Sequence, residues 1–407
     1  EMHVLIIAQY YPPETGALAS RWGDFSKILA NQNHEVTVLC ESPHYPNDKY
    51  YPGFKNYFFH IDQKNPKMKI IRTKAFASNR KTTLKKLAHY LVFMFSAIIN
   101  IGKIKKFDLL IVSSPPLFTG VIGVFLKKIY NKDYWLDLRD LWPDSALQLN
   151  QIKNGTLFSL GKILEKKIYQ NAKGFIFPVP AFKNYLSKFS PEISNKPMIE
   201  LMNGVSKDFI VDAMKSKVEI NKKFTVLYSG NMGLAQDLRT IIKSAMILKD
   251  YDIYFQFIGQ GVCKSEIYEY AKPVLEKIDF IDPMPRKKLI NWIIKSSVCL
   301  VPLKNNKLFY SAFPSKMFEY MACQKPVIVG VRGDAAKLVE NSKCGISVEP
   351  ENPEILSEAI LKYYLNNEKI AEHGKNGLTY VTKNLKKEVL ALNLINEIKD
   401  SFEKKNV

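Results

Sequence analysis

Short apolar runs alternate with longer helical stretches in this chain, and the alternation begins afresh half-way along. In the first half, residues 4–8, 35–40, 70–73, 109–113, 134–138 and 174–179 read as strands, with a helix over 17–32 after the first. After Lys223 the series restarts, with strands at 224–229, 253–259, 298–301 and 326–331 and a helix over 238–249. Parallel neighbours in a sheet need a crossover, usually a helix, so this alternation predicts an α/β protein with doubly wound parallel sheets. The joint falls in the lysine-rich, aromatic-poor stretch 205–221. The expected organisation is a first domain over 1–205, a second over 206–380, and a C-terminal helix over 381–407 able to pack back on the first domain. Two such domains in tandem should face across a cleft. Open α/β sheets bind ligands outside the carboxyl ends of their strands, so the residues that follow each strand are the candidates for chemistry.

Charge narrows the partners. The chain carries 59 lysines and arginines against 39 acidic residues, a net of +20, which points to an anionic partner. Twelve of the basic residues lie between Gln63 and Phe107, where no acidic residue occurs. Inside that stretch, residues 87–101 are almost wholly apolar, too short for the roughly 20 residues that span a bilayer. An apolar helix with lysines at both ends suits either an anionic membrane surface or a buried position against a sheet with solvated ends. No nucleic-acid-binding module is recognisable, so nucleic acid is not an expected partner. Residues 3–8 fit a strand better than a secretory signal. The five cysteines, Cys40, Cys263, Cys299, Cys323 and Cys344, form no CxxC pair, which predicts free thiols in a reducing cytosol.

Four strand ends carry candidate site residues. Tyr10-Tyr-Pro-Pro-Glu-Thr-Gly16 follows the first strand, and a glycine before a helix lets an anion approach the helix amino end. Arg139-Asp140-Leu-Trp-Pro-Asp144 follows the strand at 134–138. Gly230-Asn231-Met-Gly233 and Gln236 open the second domain, where exposed backbone N–H groups can hold phosphate oxygens. In Pro314-Ser315-Lys316-Met-Phe-Glu319, Lys316 and Glu319 share one helical face near its positive end. A lysine there can meet a diphosphate, and a carboxylate one turn on can accept from ribose hydroxyls. Asp250-Tyr-Asp252 has the spacing of a metal-binding Asp-x-Asp, but it precedes its strand and reads as a loop; no metal site is expected.

Taken together, these segments resemble family 4 glycosyltransferases of the GT-B fold, which has two Rossmann-like domains. The resemblance also rests on His34-Glu-Val-Thr-Val, Asn203-Gly-Val and Lys325-Pro-Val-Ile, and covers nearly the whole chain. Arg139-Asp-Leu-Trp-Pro-Asp narrows it toward bacterial surface-polysaccharide enzymes that include N-acetylfucosamine transferases. The resemblance implies retaining transfer from a nucleotide-diphosphate sugar, without a metal or other cofactor. It places Arg139, Asp140 and Lys316 in the catalytic set, with the choice between Arg139 and Asp140 open. It places Gly16, Gly230, Asn231, Gln236, Pro283, Ser315, Lys316 and Glu319 against the donor, and Arg21 and His44 on the acceptor side. Ser311 stands where the family often has the first glutamate of Glu-x7-Glu. Asn231 and Gln236 stand where it usually has arginine and lysine, which leaves Lys316 to offset the leaving diphosphate. The expectation is a UDP-sugar donor, an N-acetylated hexosamine or its 6-deoxy form, and a polyprenyl-diphosphate-linked acceptor at the cytoplasmic face of the inner membrane. The competing readings are a UDP-sugar epimerase on the same architecture and a non-catalytic polyanion-binding protein.

Overall fold

The computed structural model describes residues 1–14, 16–45, 48–78, 82–104, 106–148, 153, 155–310 and 312–403. Thr15, Arg80, Lys81, Lys105 and Ser311 therefore lie outside the described residues. The chain divides into two units, one of Glu1–Met202 with Leu390–Val407 and one of Asn203–Val389.

The first unit is built on β1 (His3–Ile7), β2 (Glu35–Glu41), β3 (Phe59–Asn65), β4 (Met68–Thr73), β5 (Leu109–Ser114), β6 (Trp135–Leu138), β7 (Gly174–Phe177) and β8 (Met198–Glu200). Their order across the sheet is β3-β4-β2-β1-β5-β6-β7-β8. All pairings are parallel except β3 with β4. Central strands such as Val4–Ile7 and Leu109–Ser114 are buried on both faces, which is why they read as unbroken apolar runs. On one face, helix Ala17–Asn31 presents Ala19, Trp22, Phe25 and Leu29 to the sheet, joined by Ala391, Leu394, Ile395 and Ile398. Truncating a core side chain such as Leu29 to Ala typically costs about 2–5 kcal/mol.

The second unit has β9 (Phe224–Ser229), β10 (Ile253–Ile258), β11 (Ile278–Ile281), β12 (Val298–Pro302), β13 (Val327–Gly330) and β14 (Gly345–Val348), in the order β11-β10-β9-β12-β13-β14. Every pairing is parallel. In each unit the strand order reverses at the first strand of the series, between β1 and β5 and between β9 and β12. These are the topological switch points, where open α/β sheets bind ligands.

Four strands escape the sequence reading: β3, β8, β11 and β14. Each stands at or beside a sheet edge, where one side is wet and no long apolar run is required. β3 also breaks the expected all-parallel pattern, because the short connection from Asn65 to Met68 can only form a hairpin. The Asp250-Tyr-Asp252 loop lies at the amino end of β10, away from the strand ends that form a switch-point crevice. All five cysteines are free, and Cys263 alone of them is not fully buried.

Candidate functional site

At the carboxyl end of β9 the chain must turn under the end of β10. Gly230 takes φ 141° there, and the Gly230 carbonyl occupies the space where Gly259 would carry a side chain. Both positions thus require glycine. The turn is closed by the Gly233 N–H, which donates to Gln236 Oε1 at 3.1 Å. Gln236 was expected against the donor; its side-chain oxygen is spent on bracing this loop. Asn231 is exposed at the tip of the turn.

Helix Ser315–Ala322 starts after Pro314, which ends the preceding segment in an extended conformation. Ser315 is exposed at the first helical position, and Lys316 folds back toward Gly230. Its ammonium donates to the Tyr228 hydroxyl at 3.2 Å and lies 4.4 Å from the Tyr228 ring centroid. No carboxylate pairs with it among the described residues. Burial lowers the Lys316 ammonium to about 8, with the Glu319 charge opposing that shift. Tyr228 itself donates to the Asn231 carbonyl, so the lysine, the tyrosine and the glycine turn form one unit. The carboxyl end of β9 therefore holds a half-buried cation that no carboxylate pairs with among the described residues.

Glu319 sits one turn further along the same helix. One of its oxygens accepts from Arg286 Nη2 at 3.3 Å, and the other has no hydrogen bond among the described residues. Burial raises its pKa, against the pull of Arg286, Lys387 and Lys316. Arg286 stacks over the Phe209 ring at 4.6 Å, which fixes its direction. Sequence reasoning missed Arg286 and Tyr228. The Pro283-Met-Pro-Arg286 segment after β11 was the available signal, and it yielded only Pro283, which is exposed in that turn.

In the first unit, Gly16 caps helix Ala17–Asn31 with φ 101° and open space where a side chain would stand. Arg139, at the end of β6, donates to the Ala17 and Leu18 carbonyls at 3.1 and 3.3 Å and lies 3.6 Å from Asp137. Burial lowers the Arg139 guanidinium to about 10, the Asp137 charge opposing. Arg139 thus fastens the start of the helix that Gly16 caps. Asp140 is half-buried with no hydrogen bond among the described residues.

The two residues expected on the acceptor side, Arg21 and His44, are both buried. Arg21 is 3% exposed and ion-pairs with Asp137 at 2.9 Å, also donating to the Leu201 carbonyl at 2.8 Å. It faces the sheet because helix Ala17–Asn31 turns that side inward beside Trp22, whose ring N–H also donates to Asp137. His44 is fully buried, its Nδ1 3.1 Å from the Ser42 carbonyl and 3.5 Å from Glu41, its Nε2 3.4 Å from His89. Glu14, unassigned from sequence, accepts from the Tyr11, His44 and Tyr45 N–H groups and ties the loop after β1 to the loop after β2. Arg21 and His44 are thus held in place by buried packing and hydrogen bonds.

Residues 211–380 match the family model for glycosyl transferases group 1. The protein is a glycosyltransferase, similar over that stretch to group 1. This glycosyltransferase is 23% identical over 414 residues to the putative colanic acid biosynthesis glycosyl transferase WcaI of Escherichia coli K12, covering 98% of this chain and 100% of the relative. Its fold is GT-B. It matches sucrose-phosphate synthase of Thermosynechococcus elongatus with a TM-score of 0.73 at 18% identity, over 99% of this chain and 100% of the other. It matches Anabaena HepE, solved with UDP and glucose, with a TM-score of 0.66 at 12% identity, over 98% of this chain and 100% of the other.

Proposed function

We propose that this glycosyltransferase is a retaining, family 4 type enzyme of surface-polysaccharide biosynthesis, capsule or O-antigen. It takes a sugar from a UDP-sugar and places it on a polyprenyl-diphosphate-linked saccharide. The donor sugar on this reading is an N-acetylated hexosamine or its 6-deoxy form, as in N-acetylfucosamine transferases. The observation that carries the reading is the ammonium of Lys316, without a carboxylate partner among the described residues and fixed by Tyr228 against the glycine turn after β9. Breaking the glycosidic bond puts charge on the leaving diphosphate. A preorganised cation and backbone N–H groups stabilise that charge more than they stabilise the intact donor, which is the condition for catalysis. Glu319, steadied by Arg286, offers its second oxygen to the ribose hydroxyls. Asp140, rather than the committed Arg139, is the first unit's candidate for the acceptor hydroxyl. The likeness to WcaI supports a surface-polysaccharide role, and the HepE complex supports UDP as the nucleotide.

The lipid-linked acceptor and a peripheral place on the cytoplasmic membrane face are supported by surface composition. Helix Thr83–Ile101 leaves Leu84, Phe95 and Ile99 at 76%, 56% and 62% exposure. The neighbouring helices Phe118–Tyr130 and Thr156–Asn171 add Ile129, Leu157, Leu160 and Ile163, all exposed. Lys85, Lys86, Lys103, Lys128, Lys166 and Lys167 lie on or beside these helices. Apolar side chains fringed by lysines fit an anionic bilayer surface. Helix Thr83–Ile101 is apolar enough to pass for a membrane span, but its other face, with Phe93, Ala97 and Asn100, is buried in the unit.

The reading is tested by thermal-shift screening against nucleotides and nucleotide sugars, because ligands of the folded state raise its melting temperature. A clear rise with UDP or a UDP-sugar, and none with UMP or ADP at equal concentration, is expected. No rise with any uridine diphosphate compound would refute it, and UDP-sugar isomerised without an acceptor would point to an epimerase.

A further inference from the structure

The amino ends of β9 and β12 and the turn before β13 border a cavity of ≈ 770 Å³ in the second unit, at the opposite end of the sheet from Gly230. The cavity is lined by Lys222, Lys223, Phe224, Lys325, Tyr364 and Asn367, among others. Its volume is that of a small-molecule site, which typically spans about 300–1,000 Å³.

Lys325 is the unusual member. It is 5% exposed, and its ammonium has no hydrogen bond or ion pair among the described residues. Burial lowers its pKa, against the smaller electrostatic pull of the Cys299 and Cys323 thiols. An ammonium largely screened from water, with no carboxylate paired to it among the described residues, gains from an anion that supplies a counter-charge.

Three further features favour an anion. Lys222 and Lys223 stand exposed on the same lining. The first turn of the 18-residue helix Asn367–Asn384 also contributes, through Asn367, Ile370 and Ala371, and a helix amino end favours negative charge. Asp252 is the one carboxylate named in the lining, against three ammonium groups. Phe224 and Tyr364 meet edge to face at 5.4 Å and form an apolar wall.

We propose that this cavity is a second ligand site of the glycosyltransferase, for a small molecule that joins a phosphate or diphosphate to an apolar or ring portion. Lys325 is its central cation, Lys222 and Lys223 are its rim, and the Phe224–Tyr364 wall takes the uncharged portion. The site is separate from the donor site proposed above and stands whether or not that reading holds.

The test is calorimetric titration of the full chain with inorganic pyrophosphate in a Lys316→Ala background, which removes the donor-site cation. Pyrophosphate should still bind, and adding Lys325→Met should weaken binding at least tenfold. Lys325 is buried, so the exposed pair Lys222→Ala/Lys223→Ala provides a second reading, with at least threefold weaker binding at an unchanged melting temperature. The proposal is overturned if millimolar pyrophosphate does not bind the Lys316→Ala protein, or if Lys325→Met binds as tightly as its parent. Should Lys325→Met fail to fold, unchanged affinity in the Lys222/Lys223 pair variant overturns it.

Discussion

The Lys316 ammonium rests against Gly230, in the space that any side chain at position 230 would fill. Residues far apart in sequence thus meet because helix Ser315–Ala322 and the end of β9 converge at one switch point. The glycine is needed twice, for its φ of 141° and for the room it leaves the lysine.

Gly230→Ala therefore strains the backbone and displaces Lys316. Holding a non-glycine residue in such a region costs about 1–3 kcal/mol, read as a lower denaturant midpoint. UDP affinity should fall at least tenfold. In a double-mutant cycle with Lys316→Ala the two losses should not add, because both remove the same cation from the same place.

Lys316→Ala should lower turnover by about 10²–10³, as loss of one group stabilising transition-state charge does elsewhere. The fold should be intact, since among the described residues the side chain forms no ion pair and one hydrogen bond. Steady-state kinetics with saturating UDP-sugar check this, and circular dichroism checks the fold.

Burial holds the Lys316 ammonium near 8, and a bound diphosphate favours the charged form. Donor affinity should then be greatest below pH 8 and fall as pH rises through it. Near and above pH 8, binding should take up protons, seen by calorimetry in buffers of different ionisation enthalpy. Lys316→Arg keeps its charge at any working pH, so the fall should vanish in that variant.

Asp137 accepts from Arg21, Trp22 and Ser113 and lies near Arg139, all within the first unit's core. Asp137→Ala removes the buried carboxylate that pairs with Arg21 and accepts from Trp22 and Ser113. Breaking a buried pair in this way costs about 3–5 kcal/mol, measurable by chemical denaturation.

Phe95→Ser, Ile99→Ser and Leu160→Ser combined should release the protein from anionic vesicles in a sedimentation assay. Each side chain is exposed, so each change should move stability by no more than about 0.5 kcal/mol.

What the sequence disclosed follows from burial. The central strands of both sheets are apolar on both faces and could be read directly, as at Val4–Ile7 and Phe224–Ser229. Lys316 and Glu319 could be placed on one face because helical spacing is local. Arg286 could not be paired with Glu319, because 33 residues and a different helix separate them. Arg21 and His44 are polar side chains that the resemblance placed on the acceptor side. Their burial depends on which way Ala17–Asn31 faces and on the packing of His89, neither of which local pattern encodes. Gln236 reads as a ligand contact, yet its partner is a backbone N–H three residues away.

The central claim is that Lys316 at the glycine turn grips the nucleotide diphosphate. Calorimetric titration of UDP into the parent and the Lys316→Ala protein tests it most directly. A charge-assisted hydrogen bond is worth about 1.5–3 kcal/mol, so the variant should bind UDP roughly 10- to 150-fold more weakly. Equal dissociation constants for the two proteins would contradict the account.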